Sequence, residues 1–242
     1  MDSIILKKTF DKVLSDKTKI YYERLENLEN LHISDFALFT PINSIQRFLV
    51  RYELMKMIQN IPGAIVEMGV FNGNGLMSLL QIHNTLQPTY KHREFYGFDT
   101  FNGFANINKN DVFDITWENG DYKGSNSHEK ISEIVKVHND YYYAPSNVQL
   151  IPGDVTETLP LFLENNKHII VSLLYLDLDV YEPTKVALKH LLPKMAKGSI
   201  IAFDELNFKS FPGETIAVLE ELGVKYKFVN LLNSAINYCV IE

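Results

Sequence analysis

Apolar positions along this chain recur in two periods, and the switches between them mark out most of the elements. Between residues 43 and 60, Ile45, Leu49, Tyr52, Met55 and Met57 return at helical spacing, and Pro62-Gly63 stops the helix. Ala64-Ile65-Val66-Glu67-Met68-Gly69 follows as a short buried strand. Gly73 and Gly75 then lead into a helical run over 76–86. Further strands are predicted at 94–98, 148–151, 169–176 and 198–203, with helices over 156–163, 183–192 and 214–222. The 169–176 run is almost wholly apolar, as in a central strand buried on both faces. Pro183 suits the first turn of its helix. Residues 225–231 and 235–241 read as a closing strand pair.

Strands that alternate with helices imply parallel crossover units and a three-layer αβα sandwich. The turn at Asn233-Ser234 is too short for a crossover helix, so the last two strands should be antiparallel to each other. Residues 1–42 are polar and lysine-rich. Leu6, Phe10, Val13 and Leu14 have helical spacing there, and Pro41 closes the segment. It reads as an N-terminal helical extension or lid, with residues 43–242 forming one α/β domain.

Composition narrows the partners. With 242 residues, 46% hydrophobic and 22% charged, the chain is too apolar for a disordered or fibrous protein. A formal net charge of -7 disfavours nucleic acid. The longest apolar run, 168–178, is about half of what spans a bilayer. The N-terminus places charge too early for a secretory signal. The lone Cys239 allows no intramolecular disulfide and fits a reducing compartment. These features predict a soluble cytoplasmic protein with no membrane partner.

In an open α/β sheet the ligand lies beyond the carboxyl ends of the strands. Every parallel strand here ends in acid: Glu67 just before Gly69, Asp99-Thr100, Asp154-Val155, Asp177-Leu178-Asp179, and Asp204-Glu205. Glu67 beside a glycine-bearing loop (Gly69, Val70, Gly73, Gly75) would repel a pyrophosphate, and the spacing departs from the dinucleotide fingerprint. It suits a cationic ligand, such as the amino-acid end of S-adenosylmethionine. Asp99 can accept from ribose hydroxyls. Asp154 can approach an adenine amine or cap the helix that follows it. Asp177, Asp179, Asp204 and Glu205 at adjacent strand ends would repel one another unless protonated or neutralised by a cation. An all-oxygen set suits Mg²⁺ or Ca²⁺.

Three motifs carry a family resemblance: Glu67-Met68-Gly69-Val70-Phe71-Asn72-Gly73, Gly97-Phe98-Asp99-Thr100-Phe101-Asn102-Gly103-Phe104, and Asp177-Leu178-Asp179-Val180-Tyr181-Glu182-Pro183-Thr184. From about residue 47 onward the chain resembles the macrocin O-methyltransferases. These are class I enzymes that methylate sugar hydroxyls with S-adenosylmethionine and Mg²⁺. The resemblance implies a Rossmann-like fold with a mostly parallel seven-stranded sheet and an antiparallel final strand. It implies that Glu67, Gly69, Val70 and Gly73 line the methionine end of the cofactor. Asp99 and Thr100 would hold the ribose, and Asp154 and Val155 would flank adenine. Asp177, with Asp179, would supply the base. Asp177 and Asp204 would be metal ligands, with Glu205 as a third. The family usually has a second aspartate where this chain has Glu205. A homodimer is a further expectation from the family. A catechol-type methyltransferase and a non-catalytic nucleotide-binding module are the alternatives.

The stretch 103–127 is long for a connection and rich in aromatics (Phe104, Phe113, Trp117, Tyr122), as functional lids are. Those rings either cover the acceptor or anchor the loop. His128 and His138 read as helix-face or surface residues, the Tyr141-Tyr142-Tyr143 run as packing, and Met55, Met57 and Met68 as core.

Overall fold

Val66, Leu174 and Ile201 on one face of three neighbouring strands and Ile65, Leu173 and Ile200 on the other are all under 2% exposed, so the centre of the sheet is covered on both faces. The structure, a computed structural model, describes residues 33–113, 116–123, 127–142 and 147–242, with Tyr141 and Tyr142 described by their backbone only. The helical spacing at Leu6–Leu14 and Tyr143 lie outside the described residues. The chain divides into two units between Gln46 and Arg47. In the first, the described residues form a 3-10 segment, Ile33–Leu38, and the opening residues of helix α1, Ile42–Met57.

The second unit continues with β1 (Ala64–Met68), α2 (Asn74–Leu86), β2 (Glu94–Asp99), α3 (Ser127–Tyr142), β3 (Asn147–Pro152) and α4 (Val155–Asn165). It closes with β4 (Val171–Leu176), α5 (Tyr181–Leu191), β5 (Met195–Phe203), α6 (Pro212–Glu221), β6 (Val229–Asn230) and β7 (Asn237–Val240). The sheet order is β3-β2-β1-β4-β5-β7-β6. The strands from β3 to β5 pair in parallel, and β7 runs antiparallel to both of its neighbours. The expected closing pair is present, but β6 is only two residues long. Polar Lys225 and Lys227 interrupt that stretch and leave it with little to pair.

Alternation along each strand sorts the core into two layers. Ile65, Leu173, Tyr175 and Ile200 face α1 and α2, which contribute Val50, Leu54, Leu76 and Leu79. Val66, Leu174, Leu176 and Phe203 face the other way, onto Leu159 of α4, Leu188 of α5 and Val218 of α6. Helix α3 was not anticipated. Ile131 is buried and Ile134 and Val135 are partly so, a short apolar stripe in a polar stretch. Met55 and Met68 are core, as expected, whereas Met57 is 42% exposed because it closes α1. Cys239 is buried, and burial pushes its thiol up to about 12.

The strand ends gather at a topological switch. Beyond Met68 the chain turns toward β2, and beyond Leu176 it turns toward β5, so a crevice opens between β1 and β4.

Candidate active site

A cavity of about 420 Å³ fills that crevice. Its lining includes Glu67, Gly69, Val70, Asp99, Thr100, Asp154 and Val155 at one side and Asp177, Asp179, Asp204 and Glu205 at the other. Gly73 alone among the expected residues is not in the lining. It is the N-cap of α2 at φ +85°, packed so closely on α3 that a side chain there would strike Ile131.

Glu67 shares the face of β1 that carries Ile65, so it points toward α1 and α2. Its position depends on Gly75. A Cβ at Gly75 would sit 1.8 Å from Glu67 Oε1. The carboxylate therefore sits in the first turn of α2, where the Leu76 amide hydrogen-bonds it. A phosphate would otherwise take that place. Burial pushes the Glu67 carboxyl up to about 8, against the pull of the Arg51 charge. Glu67 Oε2 and Arg51 Nε and Nη1 are buried with no hydrogen-bond partner among the described residues, and both side chains line the cavity. A carboxylate and a guanidinium that both keep unbonded polar atoms in the cavity together match a ligand that carries both an ammonium and a carboxylate.

Asp99 closes β2 and binds backbone from three residues. Its Oδ2 accepts from the amides of Val70 at 2.8 Å and Phe71 at 2.7 Å. Its Oδ1 accepts from the Phe101 amide at 2.6 Å. Asp99 thus shapes both loops around the site. Asp154 caps α4 by accepting from the Thr156 amide at 2.8 Å, and its other oxygen accepts from Asn106. Of the two readings of Asp154, the capping one is formed here.

On the other side the acids crowd. Asp177 is pushed up to about 7 by burial and the neighbouring Asp204 charge. Glu205 is pushed up to about 8 for the same two reasons. Burial and Asp177 drive Asp179 well above the usual carboxylate range. Glu214 on α6 accepts from the Glu205 amide at 3.1 Å, and burial raises it too. Asp179 sits at φ +64° inside a three-residue turn closed by a 2.7 Å bond from the Val180 amide to the Leu178 carbonyl. For a residue with a side chain this is a strained geometry, of the kind found at functional sites.

Sequence reasoning missed the cations that balance these acids. Arg47 and Arg51 lie one turn apart on α1 and both line the cavity. Arg47 Nη2 lies 2.6 Å from Asp204 Oδ2, and Tyr175 donates its hydroxyl to Asp204 Oδ1 at 2.9 Å. Burial opposes the Arg47 charge, but Asp204 and Asp177 outweigh it and raise its pKa. The i, i+4 arginine pair was the available signal, but nothing in the sequence aims it at β5. Among the described residues no three His, Cys, Asp or Glu side chains stand ready as a metal-ligand set. The donor chemistry nevertheless fits a hard cation, because the oxygen-only acids outnumber the two arginines.

The four aromatics of the 103–127 stretch have different surroundings, Phe113 being exposed and outside the cavity lining. Phe104 and Tyr122 line the cavity together with Phe211. Trp117 anchors the loop, stacked on Phe211 at 5.0 Å and 5° and donating Nε1–H to the Ser210 carbonyl at 2.8 Å. His128 lies on α3 with its ring edge against Phe101.

A mostly parallel seven-stranded sheet with one antiparallel strand, and a cavity at its switch point, define a class I methyltransferase fold. Among solved structures, the calicheamicin methyltransferase CalS11 is 30% identical, with a TM-score of 0.88 over 93% of this chain and 91% of that chain. Apo CalS11, described as a TDP-rhamnose 3'-O-methyltransferase of calicheamicin biosynthesis, is 29% identical, with a TM-score of 0.78 over 93% of each chain. The O-methyltransferase NovP, 20% identical over 81% of this chain and 80% of that one, shares the fold at a TM-score of 0.60. No curated protein sequence matches the chain. The family described as Macrocin-O-methyltransferase (TylF) matches residues 48–220, and the chain belongs to that family. It is an O-methyltransferase.

Proposed function

We propose that this enzyme transfers a methyl group from S-adenosylmethionine to a hydroxyl of a sugar. The sugar would be borne by a nucleotide, a glycosylated natural product or a glycan precursor. The observation that carries the reading is the single cavity joining Glu67 and Asp99 to the cluster of Asp177, Asp179, Asp204 and Glu205. CalS11, described as acting on TDP-rhamnose, supports a sugar over a catechol acceptor.

In this reading Glu67 takes the ammonium of the cofactor and Arg51 its carboxylate. Gly69 and Val70 give the cofactor close backbone approach. Asp99 and Thr100 hold the ribose, and Asp154 and Val155 border the adenine. Asp177 and Asp179 line the same cavity and would stand on the acceptor side of a cofactor held this way. Transfer is an in-line displacement in which the acceptor oxygen forms a bond to carbon as the carbon–sulfur bond breaks. Asp177, with Asp179 on the same turn, would take the hydroxyl proton. Much of the remaining acceleration comes from holding both reactants in line.

Asp177, Asp204 and Glu205 are the residues that would hold Mg²⁺. When bound, the ion lowers the pKa of the acceptor hydroxyl and keeps the carboxylates ionised. Asp204 would have to relinquish Arg47 to take part. We also place the reaction in the cytoplasm, in a homodimer without nucleic-acid or membrane partners. Supporting this are the charge of -7, the lone cysteine, the family resemblance, and the fact that no helix among the described residues is long and apolar enough to cross a membrane.

The test is an incubation with methyl-labelled S-adenosylmethionine and a panel containing TDP-rhamnose, neutral glycosides and catechol. Label on sugar acceptors alone is the expected result. Label on catechol alone would overturn the sugar assignment.

A further inference from the structure

Helix α5 begins directly after the strained Asp179 turn, yet its own N-cap cannot serve it. The capping position is Val180, which has no side-chain acceptor and makes no side-chain cap to the first amides of α5. A partner arrives from seventy positions upstream. Asp111 Oδ1 accepts from the Tyr181 amide at 2.6 Å. Asp111 is 1% exposed and does not line the cavity, so it touches neither cofactor nor acceptor there. Its other oxygen accepts from the Asn108 amide at 2.9 Å, and the Asn108 side chain accepts in turn from the Asn110 amide, so the carboxylate is held rigidly. Gly213, at the start of α6, leaves room for this contact. A Cβ there would lie 2.0 Å from Asp111 Oδ1 and 2.5 Å from the Tyr181 nitrogen.

We propose that Asp111 is a positioning residue: by capping α5 from the segment between β2 and α3, it fixes the Asp177–Val180 turn that carries the reacting acids. The inference rests on the proposed roles of Asp177 and Asp179 for its catalytic consequence, but the capping itself does not depend on them. Three pieces of chain that the sequence separates meet at this one carboxylate: the lid segment, the β4–α5 turn and the start of α6. Because the Tyr181 amide is two residues beyond Asp179, loss of the cap frees the turn to relax from its positive φ. The acids would then lose their aim while the cofactor loops, which are held by Asp99, stay in place.

The experiment compares five variants with the wild-type full chain by amide hydrogen exchange, S-adenosylhomocysteine calorimetry and methyl transfer to TDP-rhamnose. Asp111→Ala should speed exchange of the amides at 180–182 at least tenfold. It should lower kcat tenfold or more, with S-adenosylhomocysteine affinity changed less than twofold. Asp111→Asn keeps a carbonyl acceptor for Tyr181 and should recover most of both losses. Gly213→Ala, ordinarily favourable in a helix, should reproduce the Asp111→Ala behaviour by pushing the carboxylate away. Asn108→Ala weakens only the local turn and should leave the 180–182 amides protected. Unchanged exchange at 180–182 in Asp111→Ala would overturn the proposal, as would equal effects of Asn108→Ala and Asp111→Ala. The exchange result needs no acceptor. Full activity of Asp179→Asn together with fast exchange in Asp111→Ala would therefore discard the role of Asp179 and keep the cap.

Discussion

Arg47 and Asp204 are paired at 2.6 Å although 157 residues separate them, and the pair places a protein cation in the acid cluster. Asp204 is 1% exposed and Arg47 37%, so one partner is buried while the other reaches in from the cavity side. Together with the Tyr175 hydroxyl, Arg47 occupies both oxygens of Asp204. In the absence of a divalent ion, part of the neutralisation that the cluster needs therefore comes from α1.

Replacing that cation isolates its contribution. Arg47→Met removes the cation paired with buried Asp204 and leaves the bond from the Tyr175 hydroxyl in place. Removing one partner of a fully buried pair costs about 3–5 kcal/mol, and the exposure of Arg47 brings the expected loss to roughly 1–3 kcal/mol. Mg²⁺ should restore more stability to Arg47→Met than it adds to wild type. Thermal melts in EDTA and in Mg²⁺ check this. Equal Mg²⁺ increments in both proteins would mean that Arg47 and the ion do not share Asp204.

Glu67 should impose a pH dependence on stability. Its pKa is raised from 4.5 to about 8 in the folded protein, first by burial. Between those values the folded state holds a proton that the unfolded state lacks, so stability falls as pH rises through the window. The loss is complete above about 8. Glu67→Gln removes that proton exchange. The melting temperature of wild type minus that of the variant should drop by several degrees between pH 5.5 and 8.5, at roughly 1.4 kcal/mol per pKa unit. Saturating S-adenosylhomocysteine should flatten the wild-type slope by supplying an ammonium.

Asp99→Ala should be more damaging than the loss of one ligand contact. The carboxylate accepts from the amides of Val70, Phe71 and Phe101, so its removal loosens two loops at once. Stability should fall by roughly 2–4 kcal/mol, and cofactor affinity by tenfold or more. Calorimetry alongside urea unfolding separates the two effects. Weakened binding at unchanged stability would show that Asp99 acts on the ligand alone.

Asp177→Asn should abolish methyl transfer while S-adenosylhomocysteine still binds, because the change removes charge and proton affinity at the acceptor side only. EDTA should suppress wild-type turnover and Mg²⁺ should return it. Full turnover in EDTA-treated enzyme would point to Asp177 or Asp179 acting as a base without an ion.

Trp117→Ala removes the stack on Phe211 and the bond to the Ser210 carbonyl. Phe104, Tyr122 and Phe211 then lose the ring that orders them along the cavity wall. Acceptor KM should rise severalfold, with cofactor affinity nearly unchanged. Loss of cofactor binding in step with KM would show that the aromatic wall serves both ligands.

The order of elements, the parallel sheet and the acid at each strand end could be read from the chain because they rest on local properties. Apolar runs such as 171–176 bury on both faces, and loops at strand ends carry the polar residues that a switch point collects. Helix α3 escaped because its apolar stripe is short, and β6 is shorter than expected because polar Lys225 and Lys227 interrupt the stretch and leave two paired residues. What only the tertiary structure decided is how charges meet across the sheet. Strand alternation put Glu67 and Tyr175 on the side facing α1, and there Arg51 and Arg47 meet Glu67 and Asp204. Crossovers brought Asp111 to the start of α5. Such contacts join residues from 16 to 157 positions apart, and no local period records them. Buried charge must find a partner wherever folding delivers one.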